Sequence, residues 1–295
     1  MGCRALEVLR ELGIDVPAVF THQDSENENV WFASVSRLAH EYEIPCYYPE
    51  DINEKRWVDL IRSLEPEVIL SCYFRQMIKQ AILDIPKIAA VNLHGSLLPK
   101  YRGRCPVNWQ LIHGEHKSGV TLHHMVLKAD AGDIIGQREV EVGPRDTALT
   151  LFHKLEEAAG QLLKTYIPML LDGTAPRIKQ DHTQATYFGG RKPEDGRIDW
   201  NWDAQRIYNL IRAVTWPYPG AFAMLDSKKI YLWDGEPLSE KELSLQPGAV
   251  KRVDGDVLVQ TGKGCLKIIA ASFEPRPSAE EAIPQALEQD GLILR

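Results

Sequence analysis

An α/β fold, a Rossmann-like parallel sheet followed by a small OB-like β-barrel, is predicted by three features of the sequence. Apolar strand-like runs alternate with helical patterns over the first two-thirds, the rhythm of a parallel sheet with crossover helices. Beyond Val214 the pattern changes to short strand-like runs broken by Gly and Asp, which suits a small barrel. The 295 residues are too many for one typical domain and enough for two.

Taken in order, Ala5 to Leu12 has the helical spacing of Leu6, Leu9 and Leu12, and Val16 to Thr21 reads as a strand. Val30 to Glu43 reads as helix, Pro45 to Tyr48 as a short strand and Lys55 to Leu64 as helix. Glu67 to Cys72 is an apolar run fit for a buried strand. Gln76 to Leu83 is expected to be a helix ended near Pro86, and Ile88 to Leu93 a strand running into a loop with Gly95, Pro99 and Gly103. Thr147 is a plausible N-cap for a long helix reaching Leu171, and Asp172-Gly173 a stop. Asp203 to Val214 is helical, and the runs 221–233, 249–253, 257–260 and 265–273 are strands. The expected division is a catalytic domain over 1–179, a connection over 180–202 and a barrel-like domain over 203–295. Doubly wound domains open with a strand, and here Met1 directly precedes the first helix, so the first strand is apparently missing. The native product is expected to begin roughly ten residues upstream, about one strand plus a turn.

Composition narrows the function. The scattered, odd set Cys3, Cys46, Cys72, Cys105 and Cys265 has no C-x-x-C pair, so neither a disulfide framework nor a thiolate zinc site is suggested. No signal peptide is recognisable at the N-terminus, no apolar run approaches the roughly 18 to 20 residues of a membrane helix, and a cytoplasmic location is expected. A net charge of −7 gives no broad attraction to phosphate backbones. No G-x-G-x-x-G opens a helix after a strand, which leaves a dehydrogenase reading without its phosphate loop.

The most informative stretch is Val91 to Trp109, VNLHGSLLPKYRGRCPVNW. Asn92 and His94 lie two apart at the end of the expected strand, so they share a face of the sheet, at the edge where open α/β sheets bind ligands. An amide there can donate to a developing oxyanion, and an imidazole can exchange protons near neutral pH. Asp130, in VLKADAGDI after the strand-like GVTLHHMV, could set the tautomer and charge of His94; a carboxylate beside an imidazole raises its pKa. These roles suit nucleophilic addition to a carbonyl but do not name the carbonyl, and a strand-end Asn or His is more often a loop hydrogen-bonding residue. Ser96 has no G-x-S-x-G elbow around it, and nothing marks Cys72 or Cys105 as an activated thiolate. His123 and His124 are adjacent and would face opposite ways in a strand, His113 and His116 lack partners at metal spacing, and no metal is expected.

The same stretch resembles the N-x-H-x-S-L-L-P-x-x-R-G-x-x-P signature of the N10-formyltetrahydrofolate-dependent formyltransferases, followed at the expected distance by G-V-T-L and D-A-G-D-I. The resemblance extends over nearly the whole chain. It is greatest toward the enzymes that formylate UDP-4-amino-4-deoxy-L-arabinose in lipid A modification and polymyxin resistance. It implies a Rossmann-like domain and a barrel, formyl transfer from N10-formyltetrahydrofolate, Asn92 as oxyanion stabiliser, His94 as proton-transfer residue and Asp130 as the group that raises its pKa. By the same resemblance the folate would lie along Gln76, Met77 and Ile78, with Arg104 and Val126, Leu127, Lys128, Ala129 and Asp130 completing the site. Taken singly, Met77, Ile78 and Leu127 are as readily ordinary core residues.

Three acceptors fit the resemblance: a nucleotide-linked amino sugar, methionyl-tRNA, or water in a deformylase. A non-catalytic folate or sugar-nucleotide binding module is the alternative from another class. The acidic, short segment Gln23 to Asn29 stands where the tRNA-specific relatives carry a basic insertion, and a tRNA enzyme must neutralise several phosphates. Phe188 to Gly196, FGGRKPEDG, also looks more like the amino-arabinose enzymes. The expected partners are therefore a sugar nucleotide and folate, with no nucleic acid and no membrane; a homo-oligomer stays open.

Overall fold

The computed structural model describes residues 1–23, 31, 33–277, 283–289 and 291–295. The acidic segment Asp24 to Asn29 and the expected start of a helix at Val30 lie outside the described residues. The chain divides into two compact units, the first made of Met1–Pro106, Lys117–Glu141 and His153–Phe188 and the second of Val107–His116, Val142–Phe152 and Gly189–Arg295.

The first unit opens with α1 (Gly2–Glu11), β1 (Val19–Phe20), α2 (Val35–Glu41), β2 (Cys46–Tyr47) and α3 (Lys55–Ser63), followed by β3 (Val68–Cys72), α4 (Gln80–Leu83), β4 (Ala89–His94) and β5 (Arg102–Gly103). Helix α5 (Pro106–Ile112) departs into the second unit, and β6 (Lys117–His124) and β7 (Ile134–Glu141) return. Helix α6 (Ala148–Leu171) has its first turn in the second unit and the remainder in the first, where β8 (Tyr187–Phe188) ends the unit. The main sheet has the order β3-β4-β6-β7, and β1 and β2 form a separate parallel pair. Strands β3 and β4 are parallel, as a crossover connection requires, whereas β6 and β7 add antiparallel. The sheet is thus a parallel core with an antiparallel extension.

Burial follows the helical period. On α6, Leu155, Ala158, Ala159, Leu162, Leu163, Ile167 and Leu170 are buried, a stripe at three- and four-residue spacing. Each fully buried Leu or Ile contributes about 1.5–3 kcal/mol relative to exposure. A second cluster joins Ile52, Val58, Ile61 and Ile82, with Trp57, Ile69, Phe74 and Ile78 packed against it.

The expected helix over Gln76 to Leu83 is only its last turn, α4. Side chains claim the backbone that a longer helix would have used: Asn53 Nδ2 donates to Met77 O at 2.9 Å, and Asn53 Oδ1 accepts from Lys79 N–H at 2.8 Å. Gln76 itself accepts from Ile52 N–H at 2.7 Å and donates to Pro49 O at 2.8 Å. The result is an extended loop directly after β3, a strand that ends at the carboxyl edge of the sheet.

In the second unit, α7 (Ala204–Val214) is N-capped by Asp203, whose carboxylate accepts from Arg206 N–H. Strands β9 (Ala221–Leu225), β10 (Lys228–Leu238), β11 (Val250–Val253), β12 (Asp256–Gln260) and β13 (Cys265–Ser272) make an antiparallel sheet of order β11-β12-β13-β10-β9. Its two edges are bridged by the last residues: Leu294 pairs with Leu225 of β9, and Ile293 with Ala249 beside β11. Covering both edges in this way gives the sheet its barrel character.

Candidate active site

Asn92 and His94 alternate on β4 and so leave the same face of the sheet. Beside them β6 runs antiparallel, with Asn92 opposite His123 and His94 opposite Thr121. Directly opposed residues share a face, so strand period and register together collect Asn92, His94, Thr121 and His123 into one polar patch.

Asp130 joins the patch from the connection between β6 and β7. It adopts the left-handed conformation at φ +52°, which Asp tolerates better than most residues. Its Oδ1 lies 3.6 Å from His94 Nδ1 and 3.5 Å from His123 Nε2, and accepts from Asn92 Nδ2 at 3.4 Å. Its Oδ2 accepts from the Gly103 N–H at 2.8 Å. Gly103 has φ +97°, and a Cβ there would stand 2.3 Å from Phe188 O, so only glycine brings this N–H to the carboxylate.

His94 is buried, and its Nε2 lies 2.8 Å from the Tyr101 carbonyl. A carbonyl only accepts, so Nε2 carries hydrogen and Nδ1 is the nitrogen that gains or loses the proton in front of Asp130. Burial lowers the His94 pKa, and this outweighs the upward pull of Asp130 and of the Tyr101 carbonyl. Asp130 therefore acts on His94 in the expected direction, but the net shift is downward because the ring is desolvated. For Asp130, burial pushes upward, yet the His94 ring and the Gly103 N–H oppose it, and its pKa comes down to about 2.

The surrounding loop is held in a costly conformation. Tyr73, Tyr101 and Cys105 all have positive φ, at +55°, +59° and +53°. Each such residue costs on the order of 1–3 kcal/mol and persists where its surroundings over-determine it. Among these residues Arg102 is a fully buried arginine that donates to Tyr187 Oη and Gln180 Oε1, each at 2.6 Å. Gln180 Nε2 donates in turn to the carbonyls of Asp130 and Gly132, at 2.9 and 2.6 Å. Arg102 stands in the R-G of the signature and His123 in the strand-like GVTLHHMV, but the sequence pattern assigns no role to them or to Gln180, since a charged or polar residue carries no sign of burial there.

The residues expected along the folate fall into two kinds. Met77, Val126 and Leu127 are large apolar side chains left exposed, not core, whereas Ile78 is half-buried against the Ile82 cluster. Gln76 spends its side chain on structural bonds, Arg104 and Lys128 are exposed, and Ala129 is half-buried. Lys128 Nζ sits 5.1 Å from the centre of the Tyr187 ring. Exposed apolar side chains of this kind suit contact with a flat heteroaromatic ligand.

Two alternative nucleophiles are otherwise engaged. Ser96 Oγ donates to Lys100 O at 2.7 Å, and burial pushes the Cys72 thiol up to about 12.

A family model described as formyl transferase matches residues 8–167, and one described as formyl transferase, C-terminal domain, matches 191–281. The chain belongs to the formyl transferase family. It shares its fold with several solved structures. WlaRD, a sugar 3N-formyl transferase solved in the presence of dTDP and 5-N-formyl-THF, is 19% identical, with a TM-score of 0.67 over 90% of this chain and 92% of that one. The N-formyltransferase from Helicobacter canadensis, in complex with folinic acid and dTDP-3-aminofucose, is 21% identical, with a TM-score of 0.66 over 90% and 94%. HypX from Aquifex aeolicus in complex with tetrahydrofolic acid is 21% identical, with a TM-score of 0.59 over 86% of this chain and 44% of that one. At these identities the likeness is one of fold, and the chemistry of this formyltransferase has to be argued from its own residues.

Proposed function

We propose that the protein transfers the formyl group of N10-formyltetrahydrofolate to the amine of a nucleotide-linked amino sugar, with UDP-4-amino-4-deoxy-L-arabinose as the acceptor. The observation that carries this reading is the grouping of Asn92, His94 and Asp130 on one face at the end of β4. An unprotonated amine attacks the formyl carbon. Asn92 and protonated His94 hold the oxyanion that develops on the formyl oxygen, and the proton shed by the attacking nitrogen is balanced by the one that N10 gains as the carbon–nitrogen bond to tetrahydrofolate breaks. Asp130 favours the charged form of His94 against its burial. The exposed Met77 and Leu127, with main-chain groups of 76–78 and 126–130, receive the pterin.

For the acceptor, the overall negative charge and the FGGRKPEDG segment speak for a sugar nucleotide and against tRNA. Two structurally similar enzymes were solved with dTDP or a dTDP-amino sugar, which supports the same class of acceptor. The test is release of tetrahydrofolate with UDP- and dTDP-linked amino sugars and with methionyl-tRNA. Turnover with UDP-4-amino-4-deoxy-L-arabinose, weakly dependent on salt, is expected. Turnover only with methionyl-tRNA would overturn the acceptor and leave the formyl transfer in place.

A further inference from the structure

We infer that His123 is a positioning residue for the reaction: it fixes the carboxamide of Asn92 so that one amide N–H remains available for the formyl oxygen. This rests on the reading of Asn92 as the oxyanion donor. His123 is 1% exposed, and its ring is held at both nitrogens. Its Nδ1 lies 2.8 Å from the carbonyl of His124. That carbonyl accepts only, so Nδ1 carries hydrogen, and in the neutral ring Nε2 is left as a lone pair. Asn92 Nδ2 lies 3.1 Å from this Nε2 and donates to it. The contact settles which end of the carboxamide faces His123, because an amide oxygen would meet the lone pair with another lone pair.

The amide nitrogen has two hydrogens. One is taken by His123 at 3.1 Å; the other reaches Asp130 Oδ1 only at 3.4 Å, a long and correspondingly weak bond. The weak bond is the one that can be exchanged for the stronger acceptor formed when the formyl oxygen gains negative charge. A proton on Nε2 directed at Asp130, 3.5 Å away, would set two donors against each other across the shorter contact. The pairing of Asn92 with His123 across β4 and β6 keeps this geometry tied to the sheet. His124, on the opposite face, contributes its carbonyl and not its ring.

The experiment is a double-mutant cycle with steady-state kinetics in both substrates. His123→Phe keeps ring volume and removes both polar contacts; kcat should fall roughly tenfold to a hundredfold with KM for folate and for acceptor unchanged, as expected when a donor is misaligned and not deleted. In an Asn92→Ala background the same change should cost about twofold or less, because the residue through which His123 acts is gone. Two further variants separate positioning from folding. His123→Gln keeps an acceptor at the reach of Nε2 and should hold kcat within about fivefold of wild type, while His123→Asn mimics only the Nδ1 side and should behave like His123→Phe at an equal melting temperature. Independent, multiplying losses from Asn92→Ala and His123→Phe would overturn the inference, as would equal losses in the Gln and Asn variants. Should His123→Phe fail to fold, the Gln and Asn pair decides alone. An Asn92→Ala enzyme with wild-type turnover would instead overturn the reading of the site on which the inference stands.

Discussion

His94 Nε2 is bonded to the Tyr101 carbonyl at 2.8 Å, which leaves Nδ1, 3.6 Å from Asp130, as the nitrogen whose protonation varies. Burial lowers the pKa of this ring and Asp130 opposes it. Removing the negative charge must therefore lower the pKa further. In Asp130→Asn the limb of the pH–rate profile that reports loss of the His94 proton should move to lower pH. A limb that stays in place while only the maximum drops would separate Asp130 from His94.

Asn92→Ala and His94→Ala should both fold and lose turnover. The expected losses are about 10² to 10³ for the oxyanion donor and about 10² to 10⁴ for the proton-transfer group. Single-turnover measurements at saturating substrates would check this, and near wild-type turnover in His94→Ala would remove it from the mechanism.

The same ring makes stability depend on pH. Its pKa is lower in the folded protein than in the unfolded chain, so its contribution is fully present above about 6.5 and is lost as pH falls from there through the folded value. Asp130, held at about 2, adds a loss that begins only below about pH 4. Melting temperature should therefore fall less steeply between pH 7 and pH 5 in His94→Gln than in the wild type. Equal slopes would show that His94 binds its proton alike in the folded and unfolded states, and that burial does not lower its pKa.

Arg102 is the structural prop of the loop. Arg102→Met keeps much of the side-chain length but strands the buried Gln180 oxygen. A buried polar group left unpaired costs about 1–3 kcal/mol, so denaturant unfolding should show a loss of at least that size. Since Gln180 also holds the Asp130 and Gly132 carbonyls, turnover should fall together with stability. A stable variant with reduced turnover would assign Arg102 to substrate binding instead.

Asn92 and His94 were legible because both face selection and placement follow from a strand period of two and a break at Gly95. Asp130 was legible through the resemblance carried by D-A-G-D-I. His123 was not: its role comes from the register between β4 and β6, which is set by hydrogen bonds between strands that hydrophobic alternation along one strand does not encode. For the same reason the antiparallel extension of the sheet, and β7 in particular, went unread. The short helix α5 has no counterpart among the sequence expectations, and the helix expected over Gln76 to Leu83 fails at Gln76 to Lys79, where Asn53 bonds the backbone away. In the second unit the strands were legible, but the bridging of both sheet edges by Ile293 and Leu294 depends on long-range pairing.

The strand pair that carries Asn92, His94 and His123 is flanked on both sides, by β3 and by β7, whereas Asp130 comes from a loop. Two kinds of mounting therefore meet at one point: a plate of paired strands, and an arm held only by side-chain and loop bonds from Gly103 and Gln180. Warming the protein short of unfolding should detach the carboxylate from the imidazole before it disturbs the amide. The protein would then keep the Asn92 amide in place while His94 loses its carboxylate partner.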